Sequence, residues 1–285
     1  MLIVSITLLT VIIPGLASGM IAYRWPQAAP TAPKISVQKV KIEVRRHPRL
    51  AAFTRSRLDP GSATGLLLSA AVVVFVVGAV SMALVLVMIH TNTGFARLDR
   101  SASLFGAHHA TALSTRFLND FTQLGGALVI VPLAVIVAIV ETIRQRSVAI
   151  VAFLTLVVGG QFLVANVIKS IVDRARPNFD QLTGFSGSSF PSGHAVASAA
   201  CLAAFALVIG RRRSLKVRAI LSGLAVGLAT GIACCRVMLG VHWLTDVLGG
   251  LALGWAWFAL CSIAFGGYQL RFGAPAKTAE ETVAT

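Results

Sequence analysis

"CCRVMLGVHWLTDVLGG", residues 234–250, places an arginine, a histidine and an aspartate inside an otherwise apolar run, in a chain of which only 12% is charged. The apolar residues before Arg236 and after Asp246 are long enough to continue as helices, so the stretch reads as the joint between two membrane-crossing segments. Moving a charged group toward hydrocarbon costs roughly 2.5–3.5 kcal/mol on insertion scales. Ionisable residues at such positions are therefore functional candidates by default.

Working outward, the 285 residues are 56% hydrophobic with a mean hydropathy of +0.82, well above an average soluble domain. Uncharged runs cover Met1–Tyr23, Ser62–Ile89, Phe121–Val140, Ser147–Ile168, Ala195–Gly210, Ala219–Cys235 and Val247–Leu270. A bilayer needs roughly 20 residues at about 1.5 Å per residue. Two runs, Ala195–Gly210 and Ala219–Cys235, reach that length only with their flanks. The expected fold class is all-α: a polytopic membrane bundle of six core helices plus an extra N-terminal transmembrane helix.

The net charge of +15 would suit a nucleic-acid binder, but its placement points elsewhere. Residues 24–61 carry nine Lys or Arg against Glu43 and Asp59, "RRRSLKVR" (211–218) carries five basic residues, "TIRQRS" carries Arg144 and Arg146, and the tail holds Arg271 and Lys277. These clusters fall at alternate ends of the apolar runs and so on one side of the membrane. That is the positive-inside pattern, which assigns them to the cytoplasm, beside anionic headgroups. No nucleic-acid partner is expected. The cysteines, Cys201, Cys234, Cys235 and Cys261, sit in apolar runs without metal-ligand spacing, so they read as packing residues.

The chain divides into an N-terminal helix (1–23) with its N-terminus outside, a basic cytoplasmic linker (24–61), a six-helix domain (62–268) and a cytoplasmic tail (269–285). The first run lacks the basic n-region and cleavage site of a secretory signal. Core helices are expected at 62–90, 121–141, 147–172, 191–210, 217–236 and 243–268. The outer connection 91–120 has the spacing of an amphipathic interfacial helix, and its His108 and His109 read as exposed loop residues.

Three polar stretches then share the outer face. In "KSIVDRARP" (169–177), Lys169 and Arg176 are seven apart, two helical turns or about 10 Å along one face, and Pro177 stops the helix. "FPSGHAVAS" (190–198) opens the next helix. There Ser192 is placed to cap, Gly193 permits close approach to the backbone, and the amides form an anion site beside His194. In the third stretch Arg236 ends a helix, while His242 and Asp246 are four apart on one helical face. A carboxylate on one imidazole nitrogen fixes the tautomer and frees the other nitrogen to attack. Each stretch alone is ordinary: a cationic helix end, a capped start, a self-satisfied His–Asp pair. Together they supply three cations, backbone amides, two histidines and an orienting carboxylate. That set suits a phosphoryl group and nucleophile-plus-acid chemistry. No carboxylate cluster for magnesium is visible, and no cofactor or metal is expected.

These motifs resemble the type 2 phosphatidic acid phosphatase superfamily, whose signature runs K-x6-R-P, P-S-G-H and S-R-x5-H-x3-D. The matching residues are Lys169, Arg176 and Pro177, then Pro191, Ser192, Gly193 and His194, then Arg236, His242 and Asp246. The resemblance covers roughly residues 62–268. It implies that His242 attacks phosphorus and becomes a phosphohistidine, that Asp246 orients it, and that His194 protonates the leaving group and then activates water. It also implies that Lys169, Arg176, Arg236, Ser192 and Gly193 hold the phosphoryl oxygens. Cys235 replaces the family serine, which puts that residue's supporting role in doubt.

The expected activity is metal-independent hydrolysis of a lipid phosphate or polyprenyl pyrophosphate. The undecaprenyl carrier ranks first, then phosphatidate or phosphatidylglycerol phosphate, on the resemblance alone. The partners are that substrate and membrane lipids, and the setting is a bacterial inner membrane with the site facing outward. Two alternatives are a phosphotransferase using the same intermediate and a non-catalytic transporter or scaffold. Vanadate-dependent haloperoxidases share the superfamily but are soluble, which seven apolar spans oppose.

Overall fold

The computed structural model describes residues 1–28, 63–178, 181–184, 187–211 and 213–269, so the linker from residue 29 onward and the tail lie outside them. Among the described residues there are nine α-helices: α1 (Leu2–Ala28), α2 (Ala63–Thr91), α3 (Asp99–His108), α4 (Ala112–Thr122), α5 (Ala127–Gln145), α6 (Ala149–Val172), α7 (Gly193–Gly210), α8 (Leu215–Met238) and α9 (Leu244–Gln269). Seven of them, all but α3 and α4, are long and apolar enough to cross a membrane. The protein is a multi-pass membrane bundle.

Helices without water between them associate by close backbone packing at small residues, and three such seams order this bundle. A Cβ on Gly254 of α9 would lie 2.5 Å from the Val196 carbonyl of α7, and one on Gly250 would lie 3.0 Å from the Ser192 carbonyl. The second seam joins α2 to α9, where Gly78 faces the Ala252 carbonyl at 2.8 Å by the same measure. The third joins α1 to α8: Gly15 faces the Gly223 carbonyl at 2.9 Å and Gly227 faces that of Val11 at 2.5 Å. Thr230 Oγ1 donates to the Thr10 carbonyl at 2.6 Å across this seam. These pairings run in opposite order along the two chains, so α1 is antiparallel to α8 and Ile3 is buried beside Val237. Gly227→Val would drive two backbones apart, at about 1–3 kcal/mol for an overpacked contact. We expect it to lower the thermal unfolding midpoint in detergent; an unchanged midpoint would show that α1 is not seated this way.

Alternate ends of the bundle carry different chemistry. At one end, α5 meets α7: Glu141 accepts from Arg144 Nε at 2.6 Å and from Gln145 Nε2 at 2.7 Å. Arg144 Nη2 and Gln145 Nε2 in turn cap the final carbonyls of α7, at Ile209, Arg211 and Val208. The described basic residues Arg146, Arg213, Lys216 and Arg218 also flank the helix ends here. At the opposite end, the last turns of α6 and α8 meet the first turns of α7 and α9, and α3 and α4 lie across them.

The connection expected at 91–120 holds more helix than one amphipathic segment. A 3₁₀ turn (Gly94–Leu98) leads into α3, and Thr111 and Ser114 form a reciprocal capping box that starts α4. The core helix expected at 121–141 therefore begins later, at Ala127. Phe121 and Thr122 complete α4, and Gly125 and Gly126 separate the two helices.

Candidate active site

Lys169 and Arg176 do not share a helix. The chain leaves α6 at Asp173, a left-handed residue (φ 38°, ψ 49°) whose amide caps the Lys169 carbonyl. Pro177 is thus not the terminator; the helix has ended four residues earlier. Residues 174–176 lie outside any helix and meet the returning loop: Ser189 N donates to Arg174 O at 2.8 Å. The two cations converge all the same, because both donate to one carbonyl. Lys169 Nζ lies 2.9 Å and Arg176 Nη2 3.1 Å from Ser188 O.

His242 and Asp246 likewise meet by a turn and not along a helical face. α9 starts at Leu244, two residues after His242, and Trp243 occupies the capping position. Asp246 then reaches back to accept from Trp243 N at 2.9 Å, the arrangement of an acidic third residue closing a helix start. The imidazole is 2% exposed and the carboxylate fully buried, with Nδ1 3.5 Å from Oδ2. That is a charge contact longer than a formed hydrogen bond, since Oδ2 is already engaged by Trp243 N and Ser189 Oγ.

The tautomer follows from the other nitrogen. Nε2 lies 3.2 Å from Arg176 Nη1, and a guanidinium only donates, so Nε2 carries the lone pair and Nδ1 the proton that faces Asp246. Burial above all lowers the His242 pKa to about 4, opposed by Asp246. The imidazole is therefore neutral at ordinary pH.

Arg236 is 6% exposed. Among the described residues Arg236 Nε and Ser192 Oγ are buried polar atoms without a hydrogen-bond partner. Ser192 occupies the position before α7 but makes no side-chain cap bond. Its backbone is held instead, the amide on Asp246 O at 3.1 Å and the carbonyl on Val196 N at 3.0 Å. A Cβ on Gly193 would meet no heavy atom within 4 Å, so the start of α7 is open to close approach. His194 lies against Gly126 and within electrostatic range of Arg236, His242, Lys169 and Arg176. All six charged or titratable candidates thus gather at one end of the bundle.

Cys235 is fully buried in the central cluster with Ile3 and Leu118, a packing role in keeping with its sequence context. His109 is turned aside: its Nδ1 contacts the Phe105 carbonyl at 2.9 Å and its ring stacks on Phe105. Two residues that sequence reasoning passed over are central. Arg174 Nη1 contacts Asp246 Oδ1 at 2.6 Å, and Arg174 Nη2 contacts Asp99 Oδ2 at 2.7 Å. Arg174 was visible inside the first polar stretch; Asp99, on the connection between α2 and α5, had no motif to mark it.

Comparison with known proteins gives the family. The PAP2 superfamily profile matches residues 148–268. Phosphatidylglycerophosphatase B of Bacillus subtilis is 34% identical over 179 residues, 60% of this chain and 85% of that protein. A lipid A 1-phosphatase of Rhizobium johnstonii is 38% identical over 118 residues, 38% of this chain and 43% of that protein. A decaprenylphosphoryl-5-phosphoribose phosphatase of Mycobacterium tuberculosis is 36% identical over 110 residues, 37% of this chain and 56% of that protein. In three dimensions, the crystal structure of a transmembrane PAP2-type phosphatidylglycerolphosphate phosphatase from Bacillus subtilis aligns with a TM-score of 0.62 and 28% identity, covering 71% of this chain and 98% of that one. A helical membrane bundle with this site is an integral membrane phosphatase. The chain belongs to the PAP2 superfamily.

Proposed function

We propose that the protein hydrolyses a lipid phosphate monoester without a metal ion, at the non-cytoplasmic membrane face, through a phosphohistidine on His242. The observation that carries this reading is the neutral His242, its Nε2 lone pair beside Arg176 at 3.2 Å and its Nδ1 proton facing Asp246.

In the first step the Nε2 lone pair attacks phosphorus and the bond to the lipid oxygen breaks. His194, protonated once the substrate's phosphate charge rests beside it, gives its proton to that departing oxygen. In the second step His194, now neutral, takes a proton from water as the water oxygen attacks phosphorus. The P–N bond breaks, inorganic phosphate leaves, and His242 is restored. Lys169, Arg176 and Arg236 offset the charge on the phosphoryl oxygens, and Ser192 Oγ with the Gly193 amide supplies further donors.

The side of the membrane is read from the described basic residues Arg144, Arg146, Arg211, Arg213, Lys216 and Arg218, which flank the helix ends opposite the site, under the positive-inside rule. Among substrates, phosphatidylglycerol phosphate comes first, because a relative matched over 60% of this chain is a phosphatidylglycerophosphatase B. No residue here favours a polyprenyl pyrophosphate over it.

The test is phosphate release from phosphatidylglycerol phosphate, phosphatidate and undecaprenyl pyrophosphate in detergent with EDTA present. Release from the first is expected to persist at the rate seen without chelator. Activity that vanished with EDTA and returned with added magnesium would overturn the assignment of charge neutralisation to the three cations.

A further inference from the structure

The short helix α3 grips the turn that carries His242 from both sides. Asp99, its first residue and only 4% exposed, accepts from the Thr245 amide at 2.8 Å through Oδ1 and from Thr245 Oγ1 at 2.7 Å through Oδ2. One turn on, Ser103 Oγ donates to the His242 carbonyl at 3.4 Å. A further turn on, a Cβ at Gly106 would lie 2.4 Å from the Met238 carbonyl, so α3 also abuts the end of α8. Trp243 has no side-chain oxygen with which to cap α9. Asp99, 146 residues away in sequence, takes the first-turn amide in its place.

The same carboxylate controls a charge. Arg174 spans Asp99 and Asp246 with its two terminal nitrogens, at 2.7 and 2.6 Å, and also donates to Thr245 Oγ1 at 2.8 Å. Its guanidinium sits 5.6 Å from the Trp243 ring. One cation thus bridges two buried carboxylates, and Asp99 draws from Asp246 part of the positive field that Arg174 exerts. Asp246 then keeps more of its own charge directed at the Nδ1 proton of His242.

We infer that Asp99 is a positioning residue for the His242–Asp246 pair, acting through Arg174 and the first turn of α9, and that Arg174 serves this bridge and not the substrate phosphate. The inference rests on His242 being the nucleophile.

Electrostatics give it a signature. The groups facing His242 are Asp246 on α9, Arg176 on the loop after α6, Arg236 on α8 and His194 on α7; all are retained in the variants below. Asp99→Asn keeps an acceptor for the Thr245 amide but removes a charge, which leaves Arg174 wholly on Asp246. The carboxylate then supports an imidazolium less, so the histidine loses basicity. Arg174→Gln does the reverse and strengthens the carboxylate's hold on the ring proton. In kcat the acid limb reports the group that must be neutral, here His242.

The experiment measures kcat and KM against pH for the full chain in detergent. Expected for Asp99→Asn is a kcat lower by about 10- to 100-fold, the usual cost of losing an orienting carboxylate one step removed, with KM changed less than about twofold. Its acid limb moves to lower pH, whereas that of Arg174→Gln moves to higher pH. Limbs that do not move in opposite directions, or a KM rise that accounts for the whole loss in Arg174→Gln, would overturn the inference. Should Asp99→Asn not purify as a folded protein, the limb of Arg174→Gln decides alone: a limb that stays in place is fatal. A parallel His242→Ala variant separates the two readings. Activity there removes the nucleophile assignment itself, while an inactive His242→Ala beside an unaltered Asp99→Asn removes only the positioning role.

Discussion

His242→Ala is expected to lower kcat for phosphate release at least about 10⁴-fold, the scale on which removal of a nucleophile acts. Residual binding by Lys169, Arg176 and Arg236 should leave KM within a few-fold of the parent. The loss follows from geometry: among the described residues, no other imidazole is so placed that one nitrogen faces a buried carboxylate while the other faces the guanidinium cluster. Folding should survive, because the carboxylate that closes the start of α9 keeps its Trp243, Ser189 and Arg174 partners. A rapid acid or alkali quench of the parent with labelled substrate supplies the complementary reading. Label should appear on the protein, stable in base and lost in acid as a phosphoramidate is, and be missing from the variant. Label retained by His242→Ala, or turnover within about tenfold of the parent, would move the covalent step to another residue.

What could be read from the chain, and what could not, divides along the range of the interactions. Seven spans were legible because hydropathy is a property of contiguous residues, and all seven occur as helices. The gathering of Lys169, His194, Arg236 and His242 at one end was legible because alternate helix ends must lie on the same side. The local routes were not. Lys169 and Arg176 were expected to meet by helical periodicity, yet a left-handed Asp173 ends α6, and Ser188, brought in from the far side of the loop, draws the two cations together. His242 and Asp246 were expected on one helical face, but the helix begins between them and the aspartate reaches back as its closing residue. The spacings of seven and four bring these pairs together without the helical periodicity expected of them, since a loop and a tight turn can span the same gaps. Asp99 was beyond reach altogether. Its role depends on α3 lying across the ends of α8 and α9, a contact that no periodicity encodes.

The second large effect is expected from Asp246→Asn, and it should act on rate and stability together. The carboxylate accepts from Arg174 Nη1 at 2.6 Å through one oxygen, and from Trp243 N at 2.9 Å and Ser189 Oγ through the other, which also faces His242 Nδ1. A carboxamide has one acceptor and one donor end. If its oxygen stays with Arg174, its NH₂ confronts the Trp243 amide and the Nδ1 proton, donor against donor. The imidazole escapes by moving its proton to Nε2, the atom that must carry the lone pair, and the nucleophile is disabled with its position unchanged. An equivalent substitution in a serine-protease triad costs about 10⁴ in kcat for the same tautomeric reason, and that magnitude is expected here with KM little changed. If the amide turns the other way, its NH₂ meets the guanidinium and Arg174 is left paired to Asp99 alone. Breaking a buried pair costs about 3–5 kcal/mol, which would appear as a lower unfolding midpoint followed by intrinsic tryptophan fluorescence. Either orientation damages the protein, so the two readouts are complementary. Wild-type kcat together with a wild-type midpoint would mean that Asp246 neither orients His242 nor anchors the start of α9, and the catalytic reading of the third motif would fall with it.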